Sequence, residues 1–463
     1  MADAGKPRAG AKVSLKLRKE YFNKCDPDEP LDPEDPRCVD IDAASTDARG
    51  RSWIGALANR IELSDRPVCE FFSGLPGSGK STELRRLSAR LSSDEGANLF
   101  PVLIDAEEVL DIYNPIDIPD ILVAILYRTE QAILEKETGS KEGALVEGRL
   151  ARLWRWVTTT EVDFKGLSGG VSAKAGIPEV ADVSADAKVV LDLKTNPSLR
   201  KRVRDKVQAH MTTFVEEVQA ALEELDERAK KQGYEGLVVI FDSLEKLRGI
   251  SSNWTDVLTS AERVFTGGAP YLKLPVHVIY TIPPALVLRL QTKVHFLPML
   301  KLHDKAGKRA AGFDAAREIV RQRVPDKYLA EFLGSTSFKV RIDRLIERSG
   351  GYPRDLVRLL QTCIAEPSLD EPLFNRLLAL AADEYVRTIP ENAIPWLARV
   401  HREKRIIVED DDHRPTVDQM LQNNVVLRYQ NDEPWADVHP AVRDMPALQA
   451  ELARLDTPAA KEG

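Results

Sequence analysis

Residues Gly74 to Thr82 read GLPGSGKST, and the spacing Gly74-x4-Gly79-Lys80-Ser81 is that of a phosphate-binding loop. Gly74, Gly77 and Gly79 permit backbone angles that a Cβ disfavours, so successive N–H groups can turn toward anionic oxygens. Pro76, Ser78 and Thr82 complete the cradle. Lys80 is placed to reach the β- and γ-phosphates as a point charge, and Ser81 to offer its hydroxyl to Mg²⁺. The context agrees. Val68-Cys69-Glu70-Phe71-Phe72 reads as a short strand before the loop, and Leu84, Leu87 and Leu91 recur at helical spacing after it. The start of that helix adds its dipole to an anion site.

Working outward, the next decisive stretch is Gly236–Asp242, GLVVIFD. A continuous apolar run is what a central parallel strand shows when both faces are buried. Its terminal acid, Asp242, suits a partner that holds Mg²⁺ through Ser81 and water. Asn98–Ile104, Pro275–Thr281 and Val294–Leu302 read as further strands, and Ile118–Glu135 as a buried helix. Strands alternating with helices predict an α/β fold, a doubly wound parallel sheet. Leu199–Lys231 keeps one apolar stripe and reads as a single long helix. Residues 136–198 break the pattern and read as an insertion, with Lys188–Leu193 alternating like a strand. Within it, Leu167-Ser168-Gly169-Gly170 matches the opening of an ABC-transporter signature, but it lies too far before Asp242 to serve as one.

Gly312–Val324, Tyr328–Leu333 and Val340–Arg348 read as helices. Gly350-Gly351 then closes one helix and Pro353 opens the next. These form a helical lid. Trp396–Lys404, a strand at Arg405–Val408, a helix at Val417–Asn423 and two strands at Val425–Gln430 and Trp435–His439 follow the order of a C-terminal winged helix. The expected organisation is therefore an extended or partly disordered arm at 1–50, rich in Asp and Pro, and a nucleotide-binding core at 51–305. A lid at 306–387, a winged helix at 388–450 and a disordered tail at 451–463 follow.

The chain has 463 residues, enough for about two to four domains. A net charge of -8 argues against a dominant nucleic-acid surface. Cys25, Cys38, Cys69 and Cys363 make no zinc or CxxC spacing and read as free thiols. No apolar run is long enough for a membrane span, and no leader-like apolar stretch opens the chain, so a cytoplasmic protein is expected.

GLPGSGKST, LVVIFDSLEK, HVIYTIP and SGGYPRDLVRLL, in that order, resemble the AAA+ and STAND (signal-transduction ATPase) branch of P-loop NTPases, over roughly residues 50–445. The likeness is to members carrying a winged helix, including bacterial relatives of defence and regulatory operons. It implies ATP and Mg²⁺ as cofactors, Thr281 at sensor 1 and Arg354 at sensor 2. Gly351-Tyr352-Pro353 matches the Gly-x-Pro motif with which a STAND lid touches nucleotide. Arg289 falls roughly where AAA+ proteins place an arginine finger. The sequence departs from the AAA+ pattern after Asp242, where Ser243 replaces the usual water-activating Glu; Glu245 is then the candidate base. The resemblance implies an ATP-binding regulatory ATPase that switches conformation or assembly and signals to a protein partner or effector, in bacterial defence by analogy with those relatives. A nucleotide-dependent oligomer is compatible with this. Two alternatives stand beside it: an initiator- or transposition-type ATPase acting on DNA, and a nucleotide-dependent scaffold with little hydrolysis. Nucleic acid is the less favoured partner. Against Glu409, Asp410, Asp411, Asp412, Asp432, Glu433 and Asp437 in the winged helix stand only a few bases, such as Arg414, Arg428 and Arg443. The run Leu199–Lys206 is the best basic candidate elsewhere.

Overall fold

The computed structural model describes residues 13–139, 194–247, 249, 252–408 and 410–456. Its strands are β1 (Cys69–Gly74), β2 (Leu99–Asp105), β3 (Gly236–Asp242), β4 (His277–Ile282), β5 (Val294–Leu297), β6 (Val426–Gln430) and β7 (Pro434–Val438). The first five form one sheet in the order β2-β3-β4-β1-β5. β2 runs parallel to β3 with Leu99 opposite Gly236 through to Asp105 opposite Asp242, and β3 runs parallel to β4. This is the doubly wound α/β core that the alternating pattern predicts. Parallel neighbours need crossover connections, and the connection from β1 to β2 passes β4 and β3 before the chain returns. Gly236 through Phe241 are all buried, which explains the unbroken apolar run.

Two compact units divide the chain: Ala58–Phe72 with Ser88–Val294, and Met1–Leu57 with Ser73–Leu87 and His295–Gly463. In the former, helix Ile118–Thr138 begins at a capping box in which Asp117 and Asp120 satisfy each other's backbone, and ends at Gly139 with φ +70°. It buries Ile121, Leu122, Ile125 and Ile133 and packs against β2 and helix Met211–Lys231. The single helix expected over Leu199–Lys231 is two, Pro197–Ala209 and Met211–Lys231, broken at His210 (φ -134°). Each half fixes its own direction. Val203 and Val207 are buried on the first, where Arg200 pairs with Asp111 at 2.9 Å and Arg204 pairs with Asp120. Phe214, Val218, Leu222 and Leu225 are buried on the second. Two arginines of the basic run thus serve internal ion pairs rather than an open nucleic-acid surface. The signature-like Leu167–Gly170 and the strand expected at Lys188–Leu193 lie outside the described residues.

The other unit gathers the lid, the winged helix and the chain's first segment. Helices Gly312–Arg323, Asp326–Leu333, Phe338–Ser349, Pro353–Ala365 and Glu371–Val386 enclose Phe313, Leu345, Leu356, Leu360 and Phe374. The lead-in differs from the extended arm expected. It forms a helix at Leu15–Lys24, capped by Ser14, whose Tyr21 ring meets Tyr328 at 4.9 Å and Phe332 at 5.8 Å. Cys25, Ile41 and Ala48 join the lid's core. Sparse apolar residues suffice there because Tyr21, Cys25, Leu31, Ile41 and Ala48 are buried, while Leu15 and Phe22 stay exposed. The acidic, proline-rich stretch beside them is tied by Arg37 to Glu29 (2.7 Å) and Asp35 (2.6 Å).

β5 ends at Leu297, short of the expected Leu302. Pro298 has no N–H to give a ladder, and the following N–H groups go elsewhere: Met299 to Arg428 O, Leu300 to Gly351 O and Lys301 to Ala48 O. In the winged helix the strand expected at Arg405–Val408 is a loop. Among the described residues only one ladder-like bond forms beside it, Ala436 N–H donating to Lys404 O at 2.9 Å, while Trp396 Nε1–H donates to Ile407 O. Helices Ile394–Glu403 and Arg414–Gln422 and the hairpin β6–β7 are present, with Tyr429 stacked on Trp435 at 4.4 Å. Helix Pro446–Asp456 extends into the tail expected to be disordered. Among the described residues no helix is long and apolar enough to cross a membrane.

Candidate functional site

Gly74 ends β1, and helix Lys80–Leu91 begins at the lysine of the loop. Gly77 and Gly79 take φ +76° and +95°, the left-handed region that the motif's glycines are there to reach. Ser78 N–H donates to Leu75 O at 3.1 Å, which closes the turn. Lys80 is buried, and its ammonium donates to Gly74 O (3.0 Å) and Leu75 O (3.1 Å). Ser78 Oγ is buried with no hydrogen-bond partner among the described residues. Thr82 does not face the loop's interior: its Oγ1 accepts from Leu31 N–H at 3.2 Å. The donors of this loop, its two left-handed glycines and its lysine at a helix N-terminus fit the phosphates of a nucleotide.

The lid closes directly on this turn. Arg354 N–H donates to Gly77 O at 3.4 Å. A Cβ on Gly77 would stand 2.6 Å from Tyr352 Cε2 and 2.7 Å from Arg354 Cβ. Asn424, left-handed at φ +54°, donates through Nδ2 to Pro76 O (3.2 Å) and to the Tyr352 hydroxyl (3.1 Å). Burial pushes the Tyr352 phenol up to about 12, so it stays a neutral hydrogen-bonding group. Pro353 opens helix Pro353–Ala365 as its first-turn proline. The Arg354 guanidinium is held through Nε by Pro27 O (3.3 Å) and Asp28 (3.3 Å). The structure therefore brings Gly77, Pro76, Tyr352 and Arg354 together, as the motif order suggests. It adds Asn424 and the Pro27–Asp28 segment, which no local signal marks.

Arg49 and Glu83 form a second pair against the loop. Both are buried; Arg49 donates to Glu83 Oε1 at 2.7 Å and to Ser78 O at 2.8 Å. Glu83, one turn past Lys80, was the readable half of this pair.

In the other unit, Asp242 ends β3 and accepts from Ser243 N–H at 2.7 Å. Ser243 has φ +64°, unusual for a side chain with a Cβ, and leads into a single 3₁₀ turn, Leu244–Lys246, that buries Glu245. Thr281 on β4 is fully buried, and its hydroxyl accepts from Leu244 N–H (2.9 Å) and donates to Phe241 O (3.3 Å). It braces the turn that carries Asp242 and Glu245. Thr281→Val is expected to leave the Leu244 N–H without its hydroxyl acceptor and to lower unfolding stability by about 1–3 kcal/mol. Denaturant midpoints read this directly, and a valine variant as stable as the parent would show that the brace is dispensable. Arg289 is paired with Glu262.

Arg414, Arg428 and Arg443 each have a partner within the protein, while Arg402 and Arg405 are exposed. Arg414 pairs with Asp411 at 3.0 Å, Arg443 with Asp437 at 2.8 Å, and Arg428 lies 3.9 Å over the Phe296 ring. Asp437 is itself buried; burial opposes its charge, yet hydrogen bonds from His401 and Lys404 and the charge of Arg443 hold its carboxyl below the usual range. Asp410, Asp411, Asp412, Asp432 and Glu433 remain exposed.

His439 connects this domain to the lid start. It is fully buried, accepts from Ala441 N–H through Nδ1 (3.0 Å), stacks on Tyr385 at 4.2 Å, and places Nε2 3.7 Å from Asp355 Oδ2. Burial, then the charges of Arg348, Arg443 and Arg358, lower its pKa well below the usual 6.5. Below 6.5 the unfolded chain binds a proton that the folded one refuses. The stability this group secures is complete above 6.5 and is lost as the pH falls from there toward the folded value. His439→Asn is expected to flatten that dependence by up to about 1.4 kcal/mol per pH unit. Urea titrations at pH 5 to 7 measure the slope, and equal slopes for both proteins would contradict it.

No family model matches the chain, and no curated protein matches it. Among solved structures, the crystal structure of Cdc6p from Pyrobaculum aerophilum is similar over 96% of this chain and 100% of its own, with 10% identity and a TM-score of 0.34.

Proposed function

We propose that this chain is an ATP-binding regulatory ATPase whose lid and winged helix move with nucleotide state and convey that state to a separate protein partner. One observation carries the reading. The phosphate loop shares its surface with the lid and the winged helix, through Arg354 N–H on Gly77 O, Tyr352 against Gly77 and Asn424 on Pro76 O. The loop cannot rearrange around a ligand without disturbing all three.

ATP with Mg²⁺ supplies the phosphoanhydride bond and the divalent charge. Gly74, Gly77 and Gly79 turn backbone donors toward phosphate, and Lys80 exchanges its two carbonyl acceptors for phosphate oxygens. Ser81 and Asp242 are the metal-side ligands, and Glu245 is the base for water. Thr281 acts by holding the Asp242–Glu245 turn, and Arg354 leaves Pro27 and Asp28 to meet the outermost phosphate. Tyr352-Pro353 makes the lid's contact with the nucleotide, in the manner of the STAND branch. The exposed acids Asp410, Asp411, Asp412, Asp432 and Glu433, with Arg414 and Arg443 paired to acids, favour a protein partner over DNA. Assembly with nucleotide remains compatible with this, although Arg289, paired with Glu262, is not offered as its finger.

ATP turnover of the parent, Lys80→Ala and Glu245→Gln tests the reading. Glu245→Gln is expected to slow hydrolysis by about 10²–10⁴-fold while nucleotide still binds. Parent turnover no faster than Lys80→Ala would remove catalysis and leave a nucleotide-dependent scaffold.

A further inference from the structure

We infer that Arg49 is a positioning residue of the nucleotide site, which with Glu83 sets the direction in which the phosphate loop presents its backbone donors; this rests on the nucleotide-binding reading above. The Ser78–Gly79 peptide is free to turn, because Gly79 carries no Cβ and sits at φ +95°. In a planar trans peptide the C=O and the N–H point in opposite directions. Arg49 Nη2 donates to Ser78 O at 2.8 Å, so the pull that turns this carbonyl outward aims Gly79 N–H to the other side, into the loop. Without that anchor the peptide can flip, and a carbonyl dipole would face the anion.

The guanidinium is well placed for this task. Its other arm, Nη1, is fixed by Glu83 Oε1 at 2.7 Å, with both side chains almost wholly buried. Glu83 lies on the helix that Lys80 opens, so the pair ties the loop to the helix that carries its lysine. Arg86 holds the second Glu83 oxygen at 2.8 Å and Asp40 at 2.5 Å. The Arg49 backbone is fixed in turn, its carbonyl accepting from Trp53 Nε1 at 3.2 Å. The planar fork of arginine reaches both acceptors with two fixed nitrogens, a span that a single ammonium does not reproduce.

Removing Arg49 alone leaves Glu83 buried and without this partner, and the protein can lose stability for that reason only. The test therefore uses the apolar pair Arg49→Met/Glu83→Met beside Arg49→Lys. The readouts are melting temperature, affinity for a fluorescent ADP, and hydrogen exchange of the 74–82 amides without nucleotide. The double variant is expected to keep the parent's melting temperature, to bind ADP about tenfold or more weakly, and to exchange the loop amides faster. Arg49→Lys should fall between the two. Parent-like affinity and loop protection in the double variant would overturn the assignment. If the parent itself binds no ADP, the nucleotide reading fails separately, and the loop exchange still decides: faster exchange upholds the brace and unchanged exchange refutes it.

Discussion

Lys80→Ala is expected to weaken binding of ATP and ADP by about two to four orders of magnitude. Charge-assisted hydrogen bonds contribute about 1.5–3 kcal/mol each, and the lysine can make two. Its ammonium is already inside the loop, on Gly74 O and Leu75 O, so little ordering stands between this state and one that holds phosphate. The same substitution leaves those two carbonyls to other donors, and a modest drop in melting temperature should accompany it. Titration calorimetry with ADP separates the two effects. An affinity equal to the parent's would mean that the loop binds nothing through this lysine.

The largest structural effect is expected at Gly351. Its φ is +80°, and a Cβ there would stand 1.9 Å from Leu300 O, a backbone atom. That backbone cannot retreat cheaply, because Leu300 N–H donates to Gly351 O at 3.0 Å and the next N–H, of Lys301, to Ala48 O at 2.8 Å. Gly351→Ala combines left-handed strain of about 1–2 kcal/mol with overpacking of about 1–3 kcal/mol. Gly307, at φ +81° with open space around it, isolates the first contribution. Gly351→Ala should therefore cost clearly more than Gly307→Ala in urea unfolding. Equal losses would show that the close approach to Leu300 does not constrain the lid.

The parts of this architecture that could be read in the sequence are those set by neighbours along the chain. GLPGSGKST specifies its own turn, Gly236–Phe241 its own burial on both faces, and Gly350-Gly351 with Pro353 the end of one helix and the start of the next. What escaped reading depends on distant partners. Nothing near Arg49 indicates that it will be buried beside Glu83, and nothing near Asn424 points to Pro76. The first segment reads as polar and extended, yet Tyr21 and Cys25 find a lid core built from residues hundreds of positions later. β5 stops early because Pro298 and the hydrogen bonds of Met299, Leu300 and Lys301 divert the chain. The winged helix shows the same limit in its charges. A count of acids and bases includes Asp437 and Arg443, but the fold pairs them with each other, while Asp410, Asp411, Asp412, Asp432 and Glu433 stay exposed.

Thr281 is a subtler case. Its place at a strand end invites a role in sensing phosphate, and its hydroxyl is instead engaged with Phe241 and Leu244. It braces the Asp242–Glu245 turn from behind.

The central claim is that the lid and winged helix answer to nucleotide state. Hydrogen exchange of residues 349–360 and 420–440, compared between the protein saturated with ADP and with a non-hydrolysable ATP analogue, measures it most directly. The account predicts different protection in both segments for the two nucleotides, and none of that difference in Lys80→Ala. Identical protection in the two saturated states would contradict a switch, even if the loop binds both nucleotides well.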